Sequence, residues 1–362
     1  MNNKILILQR VCAPYRIKFF AEFQKIMKNS TLIIGEDIPN SKVKNSQDLE
    51  DLNFIQLKTK HISFFGRILT FHKGLLSQFR KNKPDIIICE AESHVIGYLT
   101  AIIYKIFFNN KVKLGYWCFI ALPGRVYNKY SPKELFKRNI RKLFDHFFLY
   151  HSYGKNKLLE MGINEDQTTI VTNVGNTQRF NDLSKKKIEK SLAKKKLNLE
   201  NECTLLFLGT LDENKKPAKL IEIMLSIDIK TNVIFLGDGP LYEELKSLNY
   251  KNVLVPGHVK SNIESFLSAV DIMIVPGRGG MNISESLAFG LPVIVHQADG
   301  IEYDLIKNGR NGFIIEDNEI ATYCYHIKEI MNENFEFINE VNFNAMTMAI
   351  DMAKGCEKIL KI

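Results

Sequence analysis

The sequence predicts an α/β protein made of two successive Rossmann-like domains. Three observations carry that prediction. Short apolar runs alternate with segments of helical period, the pattern of a parallel sheet covered on both faces. The alternation occurs twice, interrupted after Thr172 by a polar and Lys-rich stretch. The chain of 362 residues is long enough for two domains that each bury a core.

In the first half, residues 4–8 and 31–34 read as buried strands with a helix, 17–27, between them. Residues 54–57, 85–89, 113–117 and 146–150 read as further strands, and 65–79, 95–107 and 133–144 as helices. These form a first domain, 1–172. Residues 173–180 are polar, and 183–199 read as one Lys-rich helical segment leading into a second domain, 173–343. Its strands are 204–208, 233–236, 253–255, 272–275 and 293–296, and its helices 220–227, 241–248, 263–269 and 284–289. The last segment, 344–360, reads as a helix.

Composition excludes several classes. Hydrophobic residues at 45% and charged residues at 25% are the balance of a soluble globular protein. Residues 5–8 read as a first strand rather than a signal peptide. The longest apolar stretch, 95–108, is broken by Lys105 and too short to span a bilayer. Cys12, Cys89, Cys118, Cys203, Cys324 and Cys356 show no paired metal spacing and read as reduced thiols of a cytoplasmic protein. Net charge is +9, divided into +13 for residues 1–172 and −4 for 173–362. That contrast points to an anionic partner for the first half, or to a Lys-rich composition with no partner.

The most informative stretch runs from Ser265 to Val295. It reads as helix, buried strand, the loop Pro276-Gly277-Arg278-Gly279-Gly280, a helix starting near Asn282, and another strand. A loop from a strand's carboxyl end to a helix N-terminus is where α/β proteins hold anionic ligands. Glu285 follows one turn in, and Ala288-Phe289-Gly290-Leu291-Pro292 ends the helix. The run Glu285-Ser286-Leu287-Ala288-Phe289-Gly290-Leu291-Pro292-Val293 resembles the Glu-Ala-Met-Ala-x-Gly-x-Pro-Val signature of retaining, nucleotide-sugar-dependent glycosyltransferases of the GT-B fold, of the family 4 kind. The resemblance covers most of residues 200–315. It implies two Rossmann-like domains with parallel sheets facing a central cleft, and a last helix, 344–362, returning to the first domain.

Site residues follow from the same resemblance. Glu285 is implied to accept hydrogen bonds from the donor's ribose, a role that suits a carboxylate. Phe207-Leu208-Gly209-Thr210-Leu211 with Lys215 is similar to a Gly-Arg-Leu-x-x-x-Lys segment whose cations grip the donor diphosphate. Lys215 is then the catalytic cation, since charge accumulates on the departing diphosphate. Thr210 stands at the Arg position, and Lys216 is a second cation beside it. Gly237-Asp238-Gly239-Pro240 reads as turn chemistry. In Gly257-His258-Val259, His258 is implied as a neighbour of the base or is structural. Residues 303–312 resemble a turn that closes a loop.

Where the family carries a further Glu, this chain has Gly277, and the loop resembles a Pro-Gly-x-x-Gly-Leu-Asn subgroup of bacterial surface-polysaccharide synthesis. The amides of Gly280, Met281 and Asn282 are then the groups to hold sugar and diphosphate. In the first domain, Ala13-Pro14-Tyr15-Arg16-Ile17 resembles an x-Pro-Tyr-Arg-Val start that puts Tyr15 and Arg16 at the cleft. Leu114-Gly115-Tyr116-Trp117-Cys118 lacks the His of a related Trp-Gly-His-Gly segment. Glu90, Glu92 and His94 follow a strand and either reach the cleft or are ordinary loop residues.

No metal site is expected, and no cofactor beyond a nucleotide diphosphate sugar as substrate. The expected partners are that donor, a glycan or lipid-linked acceptor and an anionic membrane surface, with no nucleic acid. Residues 133–148 carry the membrane expectation. Phe136, Ile140, Leu143, Phe144 and Phe147 share a face expected to pack on the sheet, leaving Lys133, Lys137, Arg138, Arg141 and Lys142 to the lipid without insertion. Retaining glycosyl transfer in polysaccharide or lipopolysaccharide synthesis, at the inner face of the cytoplasmic membrane, is the predicted function. A sugar-nucleotide epimerase and an inactive nucleotide-sugar-binding subunit are the alternatives.

Overall fold

A computed structural model describes residues 3–37, 44–64, 67–91, 96–125, 131–259, 261–340 and 342–361. Glu92 and His94 lie outside the described residues. The chain divides into two compact units: residues 1–121, 125–172 and 345–362 form the first, and 122–124 with 173–344 the second.

The first unit opens with β1 (Ile5–Leu8), α1 (Ile17–Ile26), β2 (Ser30–Gly35) and β3 (Phe54–Leu57). A hairpin of β4 (Thr59–Phe64) and β5 (Arg67–His72) follows, then α2 (Leu75–Asn82). After them come β6 (Ile86–Glu90), α3 (Gly97–Phe107), β7 (Lys113–Cys118), α4 (Pro132–Arg141), β8 (His146–Leu149), α5 (Ser152–Glu160) and β9 (Thr168–Ile170). The sheet runs β3-β2-β1-β6-β7-β8-β9, with parallel pairing throughout. Every residue of β1 and β2 is buried, whereas edge strand β3 is mostly half-exposed. Burial on both faces explains the unbroken apolar runs. Ile5 and Ile7 enter one core layer, Leu6 and Leu8 the other, as the two-residue strand period demands.

The second unit contains α6 (Thr177–Ser184), α7 (Lys190–Lys196), β10 (Cys203–Leu208), α8 (Lys219–Ser226), β11 (Thr231–Leu236), α9 (Tyr242–Ser247) and β12 (Val253–Gly257). It continues with α10 (Ile263–Ser268), β13 (Ile272–Val275), α11 (Met281–Phe289), β14 (Val293–His296), α12 (Glu302–Leu305), β15 (Gly312–Ile315) and α13 (Ile320–Met331). Its sheet runs β12-β11-β10-β13-β14-β15, again parallel. Strand order reverses between β10 and β13, the switch point where α/β sheets open a crevice for ligands.

The chain's last helix, α14 (Ala345–Ile359), belongs to the first unit. Met348, Ala349, Met352, Ala353, Cys356 and Ile359 share a core layer with Phe19, Phe20 and Phe23 of α1 and with Trp117. Gly355 lets the helix approach β8, because a Cβ there would stand 2.4 Å from a Phe148 ring carbon.

Four sequence expectations are corrected. Residues 67–72 are a strand, not part of a helix over 65–79. Thr59 pairs with His72 and Ile62 with Leu69 in an antiparallel hairpin, and helix begins only after Gly74, whose φ of 78° stops any earlier start. The segment 183–199 is two helices, the first beginning at Thr177 because the Asn176 side chain caps it by accepting from Arg179 N at 3.2 Å. Helix α4 starts on a Ser131 cap and Pro132, with Glu134 N donating to Ser131 Oγ at 3.3 Å. It stops at Arg141, so Phe144 and Phe147 lie beyond the helix. Arg141 is buried beside Met161 Sδ at 3.5 Å rather than solvated, while Phe136 is 58% exposed. Finally, α5, β9, α12, β15 and α13 were not anticipated. No described helix is long and apolar enough to cross a membrane.

Candidate functional site

The loops after β10 and β13, with the first turns of α11, bring chemically useful groups together at the switch point of the second sheet. Gly209 turns the chain out of β10 with φ 131°. Its N–H donates to Leu236 O at 2.9 Å, Leu211 N to Asp238 O at 3.0 Å, and Gly237 N to Gly257 O at 3.0 Å, lacing three strand ends together. The Gly-Asp-Gly turn is required by closeness: a Cβ on Gly237 would sit 1.7 Å from Gly209 O, and one on Gly239 2.4 Å from Leu211 O.

Lys215 is held by a turn that Asp212 organises. Lys215 N and Lys216 N both donate to Asp212 O, at 3.0 and 3.2 Å. The Lys215 amine then lies over Gly209, 3.2 Å from where a Cβ would be, with the Asn282 carboxamide against the same spot. Asn282 Nδ2 donates to Leu208 O. Burial pushes the Lys215 pKa down, opposed by the charges of Asp212, Asp299 and Glu285 and reinforced by Arg278. A half-buried ammonium interacts more strongly with an anion placed beside it than a fully solvated one does.

The loop after β13 crosses the Lys215 turn. Arg278 N donates to Asn214 O at 3.1 Å, and a Cβ on Gly277 would stand 2.4 Å from Asn214 O and within 3 Å of Lys215 backbone atoms. Glycine is therefore enforced at 277 by contact, and a carboxylate has no room there. Asp299, from the loop after β14, supplies an acid instead: it accepts from Arg278 Nε at 2.8 Å and from Gly279 N at 3.0 Å. It is buried and pins the loop. Gly280, at φ 51° and ψ −113°, then opens α11. The N–H groups of Gly280 and Met281 point from the positive end of α11, whereas Asn282 N donates to Gly279 O at 3.3 Å. The Asn282 amide is thus engaged within the loop, and its side chain with Leu208 O.

Glu285 lies in the second turn of α11. Asn176 N donates to its Oε1 at 3.0 Å, and Gly175 N donates to Ser284 Oγ at 3.0 Å. Gly175 gives the carboxylate its room, since a Cβ there would be 2.5 Å from Oε1. Burial raises the Glu285 pKa, countered by the Asn176 N–H and by the charges of Arg179 and Lys215. The result is a half-buried carboxylate with acceptor capacity left over, suited to a ligand's hydroxyls.

The remaining candidates are Thr210, Lys216 and His258 in the second unit and Tyr15 and Arg16 in the first. Thr210 is half-buried in the Gly209 turn. His258 is exposed after Gly257. Lys216, exposed in a left-handed conformation of φ 51°, acts on His296, whose pKa is lowered first by burial and then by Lys216 and Lys219. In the first unit Tyr15 is half-buried and Arg16 is buried. The Arg16 guanidinium lies 4.8 Å from the Trp117 ring and 5.4 Å from those of Tyr15 and Tyr150, a cation–π cage that stiffens the start of α1. Asp299, Asn176 and Gly175 were missed in the sequence, where nothing links them to Glu285 or Lys215. Among the described residues no group of three or more His, Cys, Asp or Glu side chains is placed to hold a metal ion.

Residues 189–346 match the family model of glycosyl transferases group 1, a match that falls almost wholly within the second unit. No curated protein matches the chain. Among solved structures, Anabaena HepE in complex with UDP and glucose is 16% identical with a TM-score of 0.64, over 98% of this chain and 99% of that one. WaaB, a lipopolysaccharide outer core galactosyltransferase, is 15% identical with a TM-score of 0.67 over 99% of both chains. A Listeria monocytogenes protein assigned as a UDP-N-acetylglucosamine 2-epimerase is 16% identical with a TM-score of 0.60, over 99% of this chain and 96% of that one. These likenesses establish the fold: two Rossmann-like domains of the GT-B kind.

Proposed function

We propose that this protein, on the strength of its match to the group 1 glycosyltransferase model, moves a sugar from a nucleoside diphosphate sugar to a hydroxyl of a glycan or lipid-linked glycan. The observation that carries the reading is the grouping of Lys215, Asn282, the Gly280–Met281 amides and the half-buried Glu285 at one switch point. Glu285 takes the ribose hydroxyls. The α11 N-terminus and Lys215 take the diphosphate, whose negative charge grows as the bond to the anomeric carbon breaks. The acceptor hydroxyl attacks that carbon from the face the diphosphate leaves, and its proton passes to the departing phosphate oxygen. No protein nucleophile takes part, and the sugar keeps its configuration.

Cationic side chains and helix amides fill the role a metal ion plays elsewhere, so the reaction runs without one. HepE was solved with UDP and glucose, which makes UDP-sugars the first donors to try. The name of WaaB supports a place in bacterial surface polysaccharide or lipopolysaccharide synthesis. Incubation with UDP-sugars and a glycan acceptor, followed by NMR of the new linkage, tests the reading. Retained anomeric configuration, unaffected by a chelator, is expected. An epimerised nucleotide sugar formed without acceptor would favour the epimerase, which shares the fold. Binding without turnover would leave an inactive binding subunit.

A further inference from the structure

We propose that the solvent face built by α3 and α4 of the first unit docks on an anionic lipid bilayer by inserting its apolar side chains. On α3, Ile103, Ile106 and Phe107 are 45%, 59% and 75% exposed. Their spacing of three and four residues puts them side by side on one helix face. On α4, Phe136 is 58% exposed, and one further stripe runs through Ile140 to Leu143, itself 41% exposed just past the helix. The two stripes meet at a hollow of about 330 Å3 floored by Ile102, Leu114 and Phe144 and rimmed by Lys105, Lys142 and Asn110. Side chains of this size left in water beside one hollow mark an interaction surface.

Charge identifies the partner. Residues 97–113 and 131–145 together hold eight Lys or Arg against Glu134 and Asp145. Both acids are already engaged, Glu134 by Lys137 at 2.9 Å and Asp145 by Lys105 at 2.6 Å. Lys111, Arg138 and Lys142 are exposed. Lysines mixed into an apolar face are depleted at protein–protein contacts and typical of helices lying in a lipid interface. A second copy of the chain would set cations against cations. An anionic bilayer offers phosphates at the level of the lysines and hydrocarbon just beneath, so both halves of the face are satisfied at once. The docking rests on the proposed function only in implying a lipid-linked acceptor. Its own readout needs neither donor nor acceptor.

Sedimentation of the full chain with phosphatidylcholine vesicles, with and without phosphatidylglycerol, at low and high salt is the test. The wild type should pellet with the anionic vesicles and lose part of that binding in salt. Joint substitution of Ile106→Ser and Phe107→Ser should lower partitioning by about tenfold or more, and Arg138→Glu with Lys142→Glu should do likewise. Leu225→Ser, equally exposed at 63% in the second unit, should change nothing. All these positions face solvent, and unchanged melting curves confirm that the fold is kept. Equal binding to neutral vesicles, no binding, or serine variants that pellet like wild type would overturn the proposal. So would a dimer in sedimentation equilibrium that the serine variants disperse, since the face would then be a self-contact. None of these failures touches glycosyl transfer to a soluble acceptor.

Discussion

Glu285 is placed where burial opposes its charge while the proposed donor contact requires that charge. Its folded-state pKa is raised above the ordinary glutamate value, first by burial. Folding therefore favours the protonated form, and stability from this group falls as pH rises from the unfolded pKa through the folded one. Donor affinity should move the other way, rising over the same window as the carboxylate forms. Glu285→Gln should remove that pH dependence and leave the unliganded protein as stable or more so. It should weaken donor binding by roughly 1.5–3 kcal/mol, the worth of a charged hydrogen bond. Calorimetric titration across pH checks this, and unchanged affinity in the variant would remove Glu285 from the donor site. For Lys215→Ala a fall in kcat of about 10²–10³ is expected, the usual cost of losing one donor to developing charge. Lys216→Ala should be near wild type, because Lys216 is exposed while the Lys215 amine lies half-buried against Gly209; the reverse order in steady-state kinetics would reassign the phosphate contact. Glu285 and Lys215 could be picked out in the sequence because each sits in a contiguous motif. Asp299, Asn176 and Gly175 could not, since their hydrogen bonds to the site join residues 20 to 109 positions apart, which no local residue pattern encodes.

At the level of elements, the strand ends of the second unit are locked by glycines that no side chain can replace. Gly237→Ala would drive a Cβ into Gly209 O, at a φ of 156° that L-residues rarely adopt. A loss of about 2 kcal/mol or more is expected, read as a lower melting temperature of the second unit together with weaker donor binding. A variant that melts like wild type would show that the strand-end loops give way easily. The central strands were legible because burial on both faces writes continuous apolar runs such as residues 272–275. The hairpin of β4 and β5 was not. Its aromatic and aliphatic residues also fit a helical spacing, and cross-strand pairing, invisible locally, decided between the two. Likewise β15 begins at Gly312, with φ 155° and backbone pressed against Val293, so its start looks like a turn.

Over the whole molecule, each unit closes around its own pair of core layers, and α14 supplies one wall of the first unit from the far end of the chain. Removing residues 345–362 should abolish cooperative melting of the first unit. Loss of burial at Met348, Met352 and Ile359 alone costs about 1.5–3 kcal/mol each. The second unit should keep its own transition in scanning calorimetry, and a truncated chain with an unaltered melting profile would contradict that division. The placement of α14 also sets an order of events during synthesis. As the nascent chain leaves the ribosome, residues 173–344 are complete before Ala345 emerges, so the second unit can fold while α1 and Trp117 still lack their cover. Folding from the N-terminus first, the common course for multidomain chains, is reversed at the closing step. Bridging so long a loop adds little entropy cost over a shorter one. What it adds is time, during which the open aromatic layer around Phe19 and Phe20 is the surface a chaperone would meet.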